Sequence, residues 1–268
     1  MAIKLVISDL DGTLLDCDHQ ISEANKSAIF EAVQSGVTVT IATGRMYPSA
    51  LPYAKQLGVD VPIITYNGAV IKSVSGEILY EQCLDTGVAQ EIITLCQEND
   101  WYIQTIDDDN LYFKEHNEKA KYYESVAGIK GHAVGKNLAD YAKRPPKMLM
   151  ITDNEVQTDE IVALLEKQFA GRITAVKSMP TYIEIIHPSV NKAAAVDRLI
   201  EKLNLSREEV MALGDSNNDL PMLKAAGLSV AMGNANQKAK AAAKVVTEDN
   251  NHSGVAVAIR KYVLQKQG

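Results

Sequence analysis

Cysteine is scarce in this 268-residue chain: Cys17, Cys83 and Cys96 are scattered and odd in number. That argues against a disulfide framework and for a reducing compartment. A basic surplus is missing as well, since 27 Lys and Arg face 34 Asp and Glu, a net charge of −7. Without a local basic run, such a surface is poorly suited to nucleic acid or to an anionic membrane, and neither is expected as a partner. No stretch nears the roughly 20 apolar residues that span a bilayer. The apolar run from Met1 to Ile7, around Lys4, stops at Asp9, too short for a secretory signal. The five histidines (His19, His116, His132, His187, His252) lack zinc-type spacing. Asp107-Asp108-Asp109 lacks the rest of a calcium loop and reads as a hydrated turn. What these absences leave is a soluble cytoplasmic α/β protein, and 46% hydrophobic residues suffice for a sizeable core.

What is present has a βα rhythm. Ile3 to Ile7 is a β-branched run too short for a helix, as a strand buried on both faces requires. Ser22 then precedes a helical pattern with Ile29, Ala32 and Val33 inward, ending near Gly36. Val37 to Ala42 reads as a second strand and Ile63 to Tyr66 as a third in the same parallel sheet, with Asn67-Gly68 turning the chain. From Leu84 to His187 helices alternate with paired strands and tyrosines gather, a texture of α+β type. After Pro188 the rhythm resumes with helix Lys192 to Leu203, strand Val210 to Leu213, helix Asp219 to Ala226 and strand Leu228 to Met232. The expected architecture is a doubly wound, Rossmann-like parallel-sheet core, residues 1–83 with 188–268, carrying an inserted α+β domain at 84–187.

Four segments at strand ends or helix starts carry chemistry. Asp9-Leu10-Asp11-Gly12-Thr13 follows the first strand, and chance yields such a pattern in about one chain per several hundred of this length. Two carboxylates at alternate positions can face one pocket, where their repulsion calls for a cation; the plain alternative is a turn. Gly214-Asp215-Ser216-Asn217-Asn218-Asp219 leaves another buried strand. Its oxygens suit a hard divalent ion, while Ser-Asn-Asn-Asp is also good N-cap chemistry, so Asp219 reads as mostly structural. Thr43-Gly44-Arg45 offers a hydroxyl, a close backbone approach and helix-start amides to an oxyanion, or else is only a strand-to-helix turn. Lys192 opens a helix, where its charge opposes the dipole and so points to an anion nearby, unless it is a lone surface lysine.

Together these segments match the needs of phosphoryl transfer. In order, they resemble the four motifs of the haloacid dehalogenase superfamily, and the large insert resembles the C2B cap of its Cof-type phosphatases, subclass IIB. The resemblance covers essentially the whole chain. It implies a Mg²⁺-dependent phosphoric monoester hydrolase acting on small phosphorylated metabolites, sugar phosphates above all. It implies Asp9 as nucleophile, forming an aspartyl-phosphate, and Asp11 as general acid and base. Mg²⁺ would be held by the Asp9 carboxylate, the Asp11 carbonyl and Asp215. The Leu10 and Gly44 amides, Thr43, Lys192 and Asn218 would hold the phosphate, with Thr13, Ser216 and Asp219 behind them. Arg45, Asn67 and Glu184 are candidates for the substrate side, against plain readings as a surface charge, a hairpin turn and a strand residue. Segments Cys83–Asp85 and His187–Asn191 read as hinges. Pyridoxal phosphate or flavin mononucleotide as substrate, a phosphomutase and a non-catalytic phosphometabolite sensor are the alternatives.

Overall fold

The computed structural model describes residues 2–58 and 62–265. Met1 of the apolar N-terminal run, and positions 59–61 and 266–268 of the expected core, lie outside the described residues. The first elements are β1 (Leu5–Ser8), α1 (Glu23–Gln34), β2 (Thr38–Ile41), α2 (Tyr47–Gln56), β3 (Ile63–Thr65), β4 (Val70–Lys72) and β5 (Ile78–Glu81). There follow α3 (Thr86–Glu98), β6 (Ile103–Asp107), β7 (Asn110–Phe113), α4 (Glu118–Ala127), β8 (Gly131–Ala133), β9 (Met148–Ile151), α5 (Glu155–Gln168), β10 (Thr174–Met179) and β11 (Tyr182–Ile186). The chain closes with α6 (Lys192–Leu203), β12 (Val210–Gly214), α7 (Leu220–Ala225), β13 (Leu228–Ala231), α8 (Gln237–Ala242), β14 (Val245–Val246) and α9 (Gly254–Tyr262). It divides into two compact units. One is Met1–Gly44, Ala50–Tyr80 and Asn191–Gly268; the other is Arg45–Ser49 with Glu81–Val190.

In the first unit five strands run parallel in the order β14-β13-β12-β1-β2. β1 and β12 are buried at every position, as parallel strands covered on both faces must be. Leu5, Ile7, Val210 and Ala212 form one core with Val196 and Leu199 of α6 and Met222 of α7. On α1 the inward stripe is Asn25, Ala28, Ile29 and Ala32, while Val33, expected inward, is 36% exposed. The polar Asn25 disguised that stripe. Its amide is buried yet satisfied: Oδ1 accepts from Ala256 N of α9 at 2.9 Å and Nδ2 donates to Leu14 O at 3.3 Å. The expectation of a third strand in the parallel sheet needs correction. Ile64 makes one parallel bridge to Ala42, but β3 heads a separate three-stranded sheet, β3-β4-β5, and pairs antiparallel with β4. The reason is the tight Tyr66–Gly68 turn, which reverses the chain at once.

In the second unit six strands are ordered β10-β11-β9-β6-β7-β8, antiparallel except between β7 and β8. Ile92 and Ile93 of α3 and Ile161 and Leu165 of α5 pack with Ile103, Met148, Met150, Ile183 and Ile185 of the sheet. Helix α4 gives the Tyr122-Tyr123 pair two fates, Tyr122 being exposed and Tyr123 buried. Among the described residues, no helix is long and apolar enough to cross a membrane.

Candidate active site

The parallel register brings the motifs to one edge of the sheet. Ser8 is level with Leu213 of β12 and with Ile41 of β2. Asp9 N–H then donates to Leu213 O at 3.0 Å and Ala42 N–H to Ser8 O at 2.9 Å, so Asp9 leaves the sheet beside Gly214-Asp215 and beside Ala42-Thr43. The strand-end rule for ligand sites in open α/β sheets thus applies to three chain segments at once. Gly12 turns the Asp9–Thr13 loop with φ +76°, and a Cβ there would stand 2.7 Å from Asp215 Oδ2. Thr13 Oγ1 donates to Asp215 Oδ1 at 2.9 Å, tying the first loop to the last. Asp219 caps its own loop, its Oδ2 accepting from Asp215 N at 2.9 Å and Ser216 N at 3.0 Å.

Lys192 joins the parts. Asn191 caps α6 by accepting from Ala194 N at 2.9 Å, which sets Lys192 in the first turn with no exposed surface. Its Nζ donates to Asp9 Oδ1 at 2.6 Å and to Asp219 Oδ1 at 2.7 Å. Burial by itself would lower the pKa of this ammonium, but Asp219 and Asp9 outweigh it and hold the pKa above the usual value. Asp9 is pushed up by burial, against the pull of Lys192, with Asp219 and Asp215 pushing the same way. Asp215 is pushed up to about 6, first by burial and then by Asp219, with the Thr13 bond opposing.

This electrostatic load is the test of whether a cation belongs here. Carboxylate oxygens of Asp9, Asp215 and Asp219 lie within 4.8 Å of one another. Asp219 is engaged by Lys192 and two amides, so Asp9 and Asp215 are the carboxylates left for a metal. An all-oxygen donor set with more negative charge than one lysine balances fits a hard dication.

The remaining expected residues fall into four groups. Thr43 and Asn67 are buried and Gly44 and Asn218 half-buried; they are linked by Asn67 N–H donating to Thr43 O at 3.0 Å and Asn218 Nδ2 to Asn67 Oδ1 at 3.1 Å. Asp11 is 46% exposed, with His19 Nδ1 3.8 Å from its Oδ1. Arg45 and Glu184 belong to the second unit: Arg45 donates to Ser49 Oγ at 3.4 Å, and Glu184 accepts from Lys147 at 2.9 Å. Leu10 is fully buried between the two aspartates of its loop. Sequence reasoning missed Lys147, His19 and Asn234, whose Nδ2 donates to Gly12 O at 2.8 Å. Only Asn234 carried a signal, a Gly-Asn-Ala-Asn turn after a buried strand.

Known proteins are similar to this chain in sequence and fold. The haloacid dehalogenase-like hydrolase family model matches residues 6–259. A 5-amino-6-(5-phospho-D-ribitylamino)uracil phosphatase of Bacillus subtilis is 34% identical, over 98% of this chain and 96% of its own. The crystal structure of TM0651 from Thermotoga maritima superposes with a TM-score of 0.87 at 34% identity, covering 97% of each chain. A haloacid dehalogenase-like hydrolase from Bacteroides thetaiotaomicron does so with 0.90 at 29% identity, over 97% of this chain and 99% of that one. The chain belongs to the haloacid dehalogenase-like hydrolases and is a phosphoric monoester hydrolase among their Cof-type phosphatases.

Proposed function

We propose that the protein is a cytoplasmic, Mg²⁺-dependent phosphatase of small metabolites, sugar and polyol phosphates first among them, working through an aspartyl-phosphate. The observation that carries this reading is the buried Lys192 ammonium 2.6 Å from Asp9 Oδ1. A carboxylate that attacks a phosphate dianion meets about 4 kcal/mol of repulsion per unit-charge pair near a protein surface. Lys192 offsets part of the cost that burial places on the Asp9 anion and counters that repulsion.

In this mechanism an Asp9 oxygen attacks phosphorus in line while the ester P–O bond breaks. The departing oxygen takes a proton from the Asp11 carboxyl. Asp11, now ionised, takes a proton from water as that water's oxygen attacks the aspartyl-phosphate. Inorganic phosphate leaves and the Asp9 carboxylate is restored. The Leu10 and Gly44 amides, Thr43, Asn218 and Lys192 hold the phosphoryl oxygens, while Thr13, Ser216 and Asp219 keep the Asp215 loop in shape. Asp9, Asp215 and the Asp11 carbonyl would hold Mg²⁺, which would supply further neutralisation of the phosphoryl charge. The inserted domain, residues 84–187, serves as the cap that selects the leaving group, with Arg45 and Glu184 as its contributors.

The name of the Bacillus subtilis relative, a phosphatase of a ribityl phosphate, supports a polyhydroxylated leaving group. The test is a phosphate-release screen across hexose, pentitol, pyridoxal and flavin mononucleotide phosphates, with Mg²⁺ and with EDTA. Turnover on polyol or sugar phosphates that EDTA abolishes is expected, with loss of about 10⁴-fold or more in Asp9→Asn. An isomerised sugar phosphate in place of free phosphate indicates a mutase. Binding without any turnover indicates a sensor. Full activity in Asp9→Asn ends the covalent route.

A further inference from the structure

Residues Tyr66, Asn67 and Gly68 take left-handed backbone one after another, with φ of 53°, 58° and 103°. A glycine does so freely and an asparagine readily, but a fully buried tyrosine does not. An Asn-Gly hairpin turn between β3 and β4 needs no such tyrosine. Strain of this kind persists where the surroundings over-determine it, and it clusters at active sites and ligand clamps.

The surroundings are three of the four motif segments, two at strand ends and one at a helix start. Asn67 N–H donates to Thr43 O at 3.0 Å. The Asn67 side chain fills the space beside Gly44, where a Cβ would meet Asn67 Oδ1 at 2.9 Å. A Cβ on Gly68 would stand 2.5 Å from Asn191 O, the cap of the helix that carries Lys192. Asn67 Oδ1 also accepts from Asn218 Nδ2 at 3.1 Å, across 151 positions of sequence, while Ser216 Oγ donates to Asn218 Oδ1. An asparagine amide can present either a donor or an acceptor end. Here an acceptor meets one end and a hydroxyl donor the other, which leaves a single orientation satisfied. Asn218 therefore keeps its NH₂ group, with two hydrogens, on the Asn67 side. One hydrogen goes to Asn67, and the other is directed by that bond.

We propose that Asn67 is a positioning residue of the phosphate cradle: it selects the donor end of Asn218 and locks the Thr43-Gly44, Asn191-Lys192 and Asn218 loops into one register. The role rests on the phosphatase reading above, with Asn218 as a phosphate ligand, and differs from lining the substrate side. It also accounts for Gly44, which any side chain would set against Asn67.

The experiment is a double-mutant cycle on the full chain, read by competitive inhibition with inorganic phosphate and by kcat/KM on p-nitrophenyl phosphate. Asn67→Gly keeps the left-handed backbone without strain and deletes the acceptor. It is expected to weaken phosphate inhibition about 5- to 50-fold, as Asn218→Ala does, with the melting temperature nearly unchanged. The double variant is expected to be within about twofold of Asn218→Ala alone, since the two residues act as one unit. Unchanged phosphate inhibition in Asn67→Gly, or losses that multiply in the double variant, would each overturn the proposal. None of these outcomes alters wild-type phosphate release, the measurement on which the phosphatase reading stands or falls.

Discussion

Lys192 and Asp219 form a 2.7 Å ion pair in which neither side chain has any exposed surface. Asp219 lies one turn beyond Asp215, and the same carboxylate caps the loop through the amides of Asp215 and Ser216. One side chain therefore fixes the lysine that faces Asp9 and the backbone that carries Asp215. Gly214 is tied to the same constraint, for a Cβ there would lie 2.6 Å from the Asp219 Cβ.

Breaking this pair from one side strands a buried charge. Lys192→Met is expected to destabilise the protein by about 3–5 kcal/mol, because Asp9 and Asp219 lose their shared counter-ion. Asp219→Asn is expected to cost a similar amount. The combined variant should fall short of the sum by more than about 1 kcal/mol, since it removes both charges together. Urea unfolding of the four proteins checks this, and strict additivity would contradict the coupling.

Asp11 differs from its neighbours in being half exposed, which suits the general acid and base proposed for it. Replacing it by asparagine is expected to slow hydrolysis of alkyl phosphates about 10²- to 10⁴-fold and that of aryl phosphates much less. An aryloxide leaves without a proton; an alkoxide does not. Equal losses across a series of leaving groups would exclude the acid role.

Much of the first unit was legible in the sequence because parallel strands buried on both faces announce themselves as short β-branched runs, and the motif residues sit directly after them. The helix stripe on α1 was misread where Asn25 occupies a core position, its polarity hidden by two backbone partners. The β3 sheet was misread because three residues carry too little pattern to separate parallel from antiparallel pairing. In the site, Asp9, Asp215 and Lys192 could be named because charge at a strand end or helix start is anomalous by itself. The pairing of Lys147 with Glu184 could not, since it depends on β-sheet register between residues 37 positions apart. Nor could the ion pair of Asp219 with Lys192, although the capping role of Asp219 was expected from its spacing.

Gly12 is required twice over, by its left-handed φ of +76° and by the 2.7 Å from a would-be Cβ to Asp215 Oδ2. Gly12→Ala is expected to cost about 1–2 kcal/mol from backbone strain alone, and to displace the Asp215 carboxylate besides. Mg²⁺ activation should suffer more than stability: the metal concentration for half-maximal activity is expected to rise about tenfold or more. A variant with wild-type metal dependence would show that the loop yields without moving Asp215.

The raised pKa of Asp215 fixes how metal and pH trade off. Its carboxyl goes from 3.8 to about 6 on folding, so the folded state favours the protonated form. By linkage, that group's contribution to stability is fully present below about pH 4 and is lost as pH rises through about 6, to the extent of about 3 kcal/mol. Asp9 is raised too and acts in the same direction. A dication prefers both groups ionised and reverses the sign. The rise in melting temperature produced by Mg²⁺ is therefore expected to be near zero at pH 5, half-developed near pH 6 and complete by pH 7.5. In Asp215→Asn it should be largely absent at every pH. Thermal unfolding with Mg²⁺ or EDTA across that range checks both statements, and a metal-induced shift independent of pH would mean that the cation binds elsewhere.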